Sequence, residues 1–207
     1  MLIDELKKNF NYNEPIFTEE ILNLLSNDSR AQVFRYINQS KDKGEIIQFD
    51  KGVYYIPKKT IIGPSTITAD MIIEKKYLSD KKNTYGVYSG IKLFNNFSMT
   101  TQMAAVIEVV TNNESAKCRE IILKNRRFIL RKSRCQIDND NVAAYTILQL
   151  FSEFKKDDYL NEDAKRRLLE YISKTGVTKE QLFNLSMNFP PRTIQNIIGS
   201  GILNEVA

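Results

Sequence analysis

Between Pro15 and Pro57 the apolar residues change their spacing from helical to alternating, and this leaves few ways for the segment to fold. Ahead of Pro15, Leu2, Ile3, Leu6 and Phe10 fall on one side of a helix over residues 1–10. After it, "FTEEILNLL" supplies Ile21, Leu22, Leu24 and Leu25 to a short helix that Thr18 is placed to cap. "SNDS" is a turn, and Asp28 or Ser29 can cap a third helix that runs to about Lys41 and ends at Gly44. "EIIQFDKGVYYIP" then reads as two short strands flanking "DKG", where Gly52 can take the positive φ of a tight hairpin turn.

Helix, helix, turn, helix and hairpin is the order of a winged helix-turn-helix, which offers its third helix to the DNA major groove. In "RAQVFRYINQSKDKG", Val33, Phe34 and Ile37 gather on one side; Gln32, Arg35 and Gln39 lie opposite, with Asn38 and Tyr36 on the flanks. Arg and Gln can bond bidentately to guanine and adenine edges. Ser29 at the helix N-terminus suits a phosphate, and so do Arg30, Lys41, Lys43 and the hairpin-turn Lys51. No acidic residue stands between Ser29 and Lys41. The expected DNA-binding set is therefore Ser29, Arg30, Gln32, Arg35, Asn38, Gln39, Lys41, Lys43 and Lys51. A polar face of this kind also serves protein contacts, since winged helices do both.

Charge is unevenly placed. The net +5 divides into −1 over residues 1–58, +8 over 59–135 and −2 over 136–207. A basic middle segment suits an acidic partner, nucleic acid or protein. Its densest stretch is "KNRRFILRKSR": as a strand it buries Phe128 and Leu130 and turns Arg127 and Arg131 outward, forming a basic patch with Lys124 and Arg126. That patch can meet DNA phosphates or an acidic surface, or be a solvated strand edge.

Absent residues exclude more than the present ones assign. The 207-residue chain has no histidine, which removes Ser-His and Cys-His nucleophiles and the usual zinc-hydrolase sites. No Gly-rich phosphate loop occurs. Asp138 and Asp140 form an Asp-x-Asp that leaves carboxylate-bound magnesium chemistry as a minor reading; no catalytic residue, metal or cofactor is expected. Cys118 and Cys135 read as thiols of a reducing compartment. No apolar run reaches the roughly 20 residues of a membrane span, and "MLIDELKKNF" lacks a secretory apolar region, so no membrane partner and an intracellular location are expected.

Downstream, Thr68–Leu78 reads as a helix, Ser89–Asn96 as another, and "AVIEVVTN", "CREIIL" and "RRFILRKSR" as strands. "DNVAAYTILQLFSEF", residues 140–154, is helical; the acidic "KKDDYLNED" is a linker; "EDAKRRLLEYISKTG" is a further helix. Two last helices follow, one opened by a Thr178/Gln181 capping box and one by Pro191. They form either a second helix-turn-helix exposing Arg192, Gln195 and Asn196, or, as preferred, a helical layer seated on the middle domain through Leu182, Leu185, Ile194, Ile197 and Ile198. The fold class is α+β: a winged helix-turn-helix over 1–58, then a domain over 59–207 that is mixed α/β to 152 and helical from 153.

"GVYYIP", "TYGVYSG", "FNNFSMTTQ" and "VIEVVTN", in that order behind a winged helix, resemble the AbiEi family. Its members are antitoxins of type IV toxin–antitoxin systems associated with abortive phage infection. The resemblance covers about residues 17–150 and falls on Gly52, Tyr54, Ser89, Gly90, Thr100, Thr101, Gln102, Thr111 and Asn112. It departs at Ser98-Met99, where the family more often has Gly-Leu. It implies a bacterial, cytoplasmic repressor of its own promoter whose C-terminal region counteracts a cognate nucleotidyltransferase toxin. The matched residues are expected to shape the fold, with Gly86 and Gly90 at turns and Thr100 and Thr101 ending elements. The alternative is a winged-helix regulator with no toxin to neutralise.

Overall fold

The computed structural model describes residues 2–155 and 158–206. They form two compact units, Met1–Lys75 and Lys76–Ala207, and the chain is a mixed α+β protein.

The first unit runs α1 (Leu2–Asn9), β1 (Ile16–Phe17), α2 (Thr18–Leu24), α3 (Arg30–Asp42), β2 (Ile47–Asp50), β3 (Val53–Tyr55), β4 (Lys59–Thr60), β5 (Gly63–Pro64) and α4 (Ala69–Ile73). Its core joins Leu6, Ile16, Ile21, Val33, Ile37, Ile46, Tyr54 and Ile56, so each expected helix contributes one apolar face. Ser29 caps α3, its hydroxyl accepting from Gln32 N at 3.2 Å. Gly44 and Gly52 take the positive φ expected, +67° and +76°. Phe34, expected among the buried set, is only half-buried, with the Arg30 guanidinium 5.7 Å from its ring centre.

Thr18 is not the cap of α2. The cap position belongs to Phe17, whose N–H donates to Glu20 Oε2 at 2.8 Å, while the Thr18 hydroxyl donates to Gly52 O at 3.2 Å. That bond ties the helix to the hairpin turn. β1 adds an unexpected strand, giving the antiparallel order β1-β3-β2; two residues are too few to show alternation in sequence. The expected boundary after residue 58 falls inside this unit, which continues to Lys75. Lys75 Nζ reaches Glu20 Oε1 at 2.8 Å, Glu14 Oε1 at 3.2 Å and Pro15 O at 2.6 Å, and sits 4.8 Å from the Phe10 ring centre. These bonds clasp the segment after Pro57 to the first helices. The expected Thr68–Leu78 helix is α4 with Thr68 as its cap, followed by a π turn over Glu74–Leu78.

The second unit contains β6 (Gly86–Ser89), α5 (Gly90–Asn96), β7 (Val106–Thr111), β8 (Cys118–Leu123), β9 (Arg126–Lys132), α6 (Val142–Ser152), α7 (Glu162–Thr175), α8 (Lys179–Ser186) and α9 (Pro191–Gly199). Its sheet has the order β6-β7-β9-β8, with β7 and β9 parallel and the other pairs antiparallel. α6 is buried over most of its length, with Tyr145, Ile147, Leu148, Leu150 and Phe151 at its centre, and α8 and α9 lie against it through Leu182 and Ile197. The Thr178/Gln181 capping box and Pro191 at the first turn of α9 are present.

Several expectations change here. Arg192, Gln195 and Asn196 do not form one free face: Gln195 is exposed, but the exposed Arg192 and the half-buried Asn196 donate to Ser152 O at 3.1 Å and Phe151 O at 2.9 Å, closing the carbonyl end of α6. Ile198, expected to be covered by the neighbouring helices, is largely exposed. Gly86 lies within β6, not in a turn. Ser98, at the departure from the AbiEi pattern, holds a left-handed φ of +56°. Asp138 Oδ1 accepts from Asp140 N at 3.0 Å and Asn141 N at 2.9 Å, shaping the turn into α6. Of the expected acidic linker, Lys156 and Asp157 lie outside the described residues, as does Met1 of the first helix. Among the described residues no helix is long and apolar enough to cross a membrane.

Candidate nucleic-acid interface

α3 owes its outer face to the packing of its inner one. Val33, Ile37 and Ser40 are buried, and at about 100° per residue the far side of the helix carries Ala31, Arg35, Asn38 and Asp42, all exposed. Arg35 and Asn38 are thus the two base-reading types on the outermost arc. Gln39 is exposed beside them, and Gln32 is half-buried.

The remaining candidates separate onto two flanks. Toward the β2–β3 hairpin lie Arg30, over Phe34, and Lys41, whose ammonium donates to Gln48 Oε1 at 2.7 Å. Gln48 also donates to Asp50 O at 3.2 Å, and Asp50 Oδ1 accepts from Lys51 N at 2.6 Å, so the hairpin end that carries Lys51 is bonded to α3 through one side chain. Gln48 is not among the sequence candidates; its alternation with Ile47 and Phe49 is the signal for it. On the other flank Gln39 and Lys43 line a cavity of about 400 Å³ with Leu2, Tyr36 and three carboxylates, Glu5, Asp28 and Glu45. That flank sets three carboxylates, one of them paired with Lys8, beside the single Lys43, so the side of α3 better suited to a DNA backbone is the hairpin side. Ser29 holds the exposed N-terminus of the helix between them.

The second unit's basic patch is largely matched by its own carboxylates. Arg127 Nε meets Glu120 at 2.7 Å across β8 and β9, and Arg131 meets Glu108 at 2.9 Å across β9 and β7. The hydrogen bond from Arg127 lowers the Glu120 pKa, and the one to Glu108 raises that of Arg131. Phe128 and Leu130 are fully buried, as alternation requires, and Arg127 is exposed. Lys124, with φ +52°, and Arg126 stand at the β8–β9 turn. The structure therefore separates this patch into two cross-strand ion pairs and a two-residue basic tip.

The residues that carry the AbiEi resemblance organise loops. Glu153 of the turn after α6 accepts from Gly90 N at 2.8 Å and from the Ser89 hydroxyl, while Gln149 Nε2 donates to the same carboxylate at 2.6 Å. Asn112 donates to Ile137 O at 2.7 Å and accepts from Ser133 Oγ at 2.9 Å. Thr111 Oγ1 donates to Tyr85 O at 3.0 Å, and Thr100 Oγ1 accepts from Gln102 N at 3.1 Å. Glu153 and Gln149 are not legible in the sequence as partners of Ser89, which lies about sixty residues earlier. No protein-family model matches the chain, and no curated protein matches it.

Proposed function

We propose that this chain is an AbiEi-like antitoxin of a type IV toxin–antitoxin system, acting in the bacterial cytoplasm, that also represses its own operon. The first unit is read as a winged helix-turn-helix whose α3 enters the major groove of promoter DNA while the β2–β3 hairpin follows the backbone. The observation that carries this reading is the outer arc of α3: Arg35 and Asn38 exposed, with Ser29 capping the end and Lys41 tied through Gln48 to the hairpin. The second unit is read as the part that counteracts a cognate nucleotidyltransferase toxin. The motif order from "GVYYIP" to "VIEVVTN" supports that half.

The test is a mobility-shift titration with the DNA upstream of the chain's own gene. Arg35→Ala is expected to weaken specific binding by about 1–3 kcal/mol and to relax preference at one base pair. Unchanged affinity and selectivity remove the assignment of α3. Co-expression with a nucleotidyltransferase gene encoded beside the chain's own tests the other half: Arg35→Ala should lose repression and keep growth rescue. A protein that represses but never rescues growth is the winged-helix regulator without a toxin.

A further inference from the structure

The first unit carries a second surface, away from the arc of α3 that bears Arg35. At the tip of the β4–β5 hairpin Ile61 and Ile62 are fully exposed, at 106% and 99% of their reference areas. Thr60 and Gly63, which bracket them, line a groove of about 900 Å³ together with residues of α1 and of the turn after α3. The groove is apolar where Ile3, Ile56, Pro57 and Tyr12 form its walls. Around them stand Lys7, Lys43, Lys58 and Lys59 against one carboxylate, Glu45. None of these four lysines is ion-paired among the described residues. Two bulky aliphatic side chains held wholly in water beside an apolar groove mark an interaction surface.

We propose that this groove docks an acidic, apolar segment of a partner protein, with Ile61 and Ile62 closing over it. Charge chooses among the occupants. A second copy bringing its own hairpin would set Lys58 and Lys59 against the same lysine rim, a like-charge juxtaposition that disfavours the pairing. DNA phosphates would satisfy the lysines and leave the isoleucines and the apolar walls in water. An acidic segment with large apolar side chains satisfies both at once, the apolar part supplying anchors and the carboxylates orientation.

The experiment uses the full chain and a fluorescein-labelled peptide of repeating Glu-Glu-Leu-Leu, followed by anisotropy. Binding is expected for this peptide and not for versions with Glu replaced by Lys or Leu replaced by Ser. Ile61→Ser/Ile62→Ser and Lys58→Glu/Lys59→Glu, all at exposed positions or at the groove rim, should each weaken it at least about tenfold with unchanged thermal unfolding. The charge-reversed variant should in addition acquire affinity for the Lys peptide. No binding, or equal binding by the Ser peptide or by the variants, overturns the proposal. A wild-type dimer in sedimentation that Ile61→Ser/Ile62→Ser dissolves assigns the groove to a second copy instead, and duplex DNA whose affinity falls in that variant assigns it to nucleic acid.

Discussion

Gly86 shows how a single missing side chain can hold a sheet together. A Cβ at this position would lie 2.0 Å from Tyr77 O and 2.9 Å from Val110 O. Both neighbours are backbone, so neither can swing aside. Gly86→Ala should lose more than about 3 kcal/mol of stability in urea unfolding, whereas Gly199→Ala, with open space around it, should change little. Tyr145 gives a residue-scale prediction about pH. Its phenol is fully buried and accepts from Arg134 N at 3.0 Å; burial pushes its pKa up to about 12, against a smaller lowering by that N–H. The folded value lies above the unfolded one near 10, so its contribution is complete below the unfolded pKa and is lost as pH climbs through the folded one. The loss amounts to about 2–3 kcal/mol. Tyr145→Phe should flatten this alkaline limb, at about 1 kcal/mol of neutral-pH stability for the lost acceptor; urea midpoints across the limb read both.

Among elements, the helices and hairpins are legible where local pattern decides them. Val33 and Ile37 announce the inner face of α3, and Gly44 and Gly52 mark two places where the chain must turn left-handed. Legibility fails where a partner is distant. Thr18 looks like a cap until Gly52 O, 34 residues on, claims its hydroxyl. Arg192 and Asn196 look like a reading face because the carbonyls they close, Ser152 O and Phe151 O, lie 40 and 45 residues back. Arg127 and Arg131 look like a cationic strip because Glu120 and Glu108 stand on neighbouring strands. The pairing of α9 with α6 carries its own prediction. Arg192→Ala/Asn196→Ala should destabilise the chain by about 1 kcal/mol per lost bond, measured by urea unfolding, and leave promoter binding unchanged. A selective loss of DNA affinity would instead make α8–α9 a second reading head.

On the scale of the whole molecule, the first unit's extent decides which fragment can act alone. Pro57 closes the hairpin in sequence, yet the clasp of Lys75 on Glu14, Glu20, Pro15 and the Phe10 ring lies beyond it. Both carboxylates are mostly buried, with side-chain exposures of 15% and 32%. Cutting at residue 58 strands them without their cation, a loss of about 2–3 kcal/mol once partial hydration is allowed for. A fragment of residues 1–75 should therefore unfold cooperatively and retain promoter binding, while residues 1–58 should unfold at markedly lower urea. The same fragment tests the proposed mode of DNA binding. Residues 1–58 carry a net charge of −1, and the cations on the hairpin side of α3, which the proposed reading turns to the DNA backbone, are Arg30, Lys41 and Lys51. Neutralising about three phosphates predicts a slope near −3 for log affinity against log salt. A much steeper slope in the full chain than in residues 1–75 would bring Lys124 and Arg126 to the backbone as well; equal slopes would confine DNA binding to the first unit.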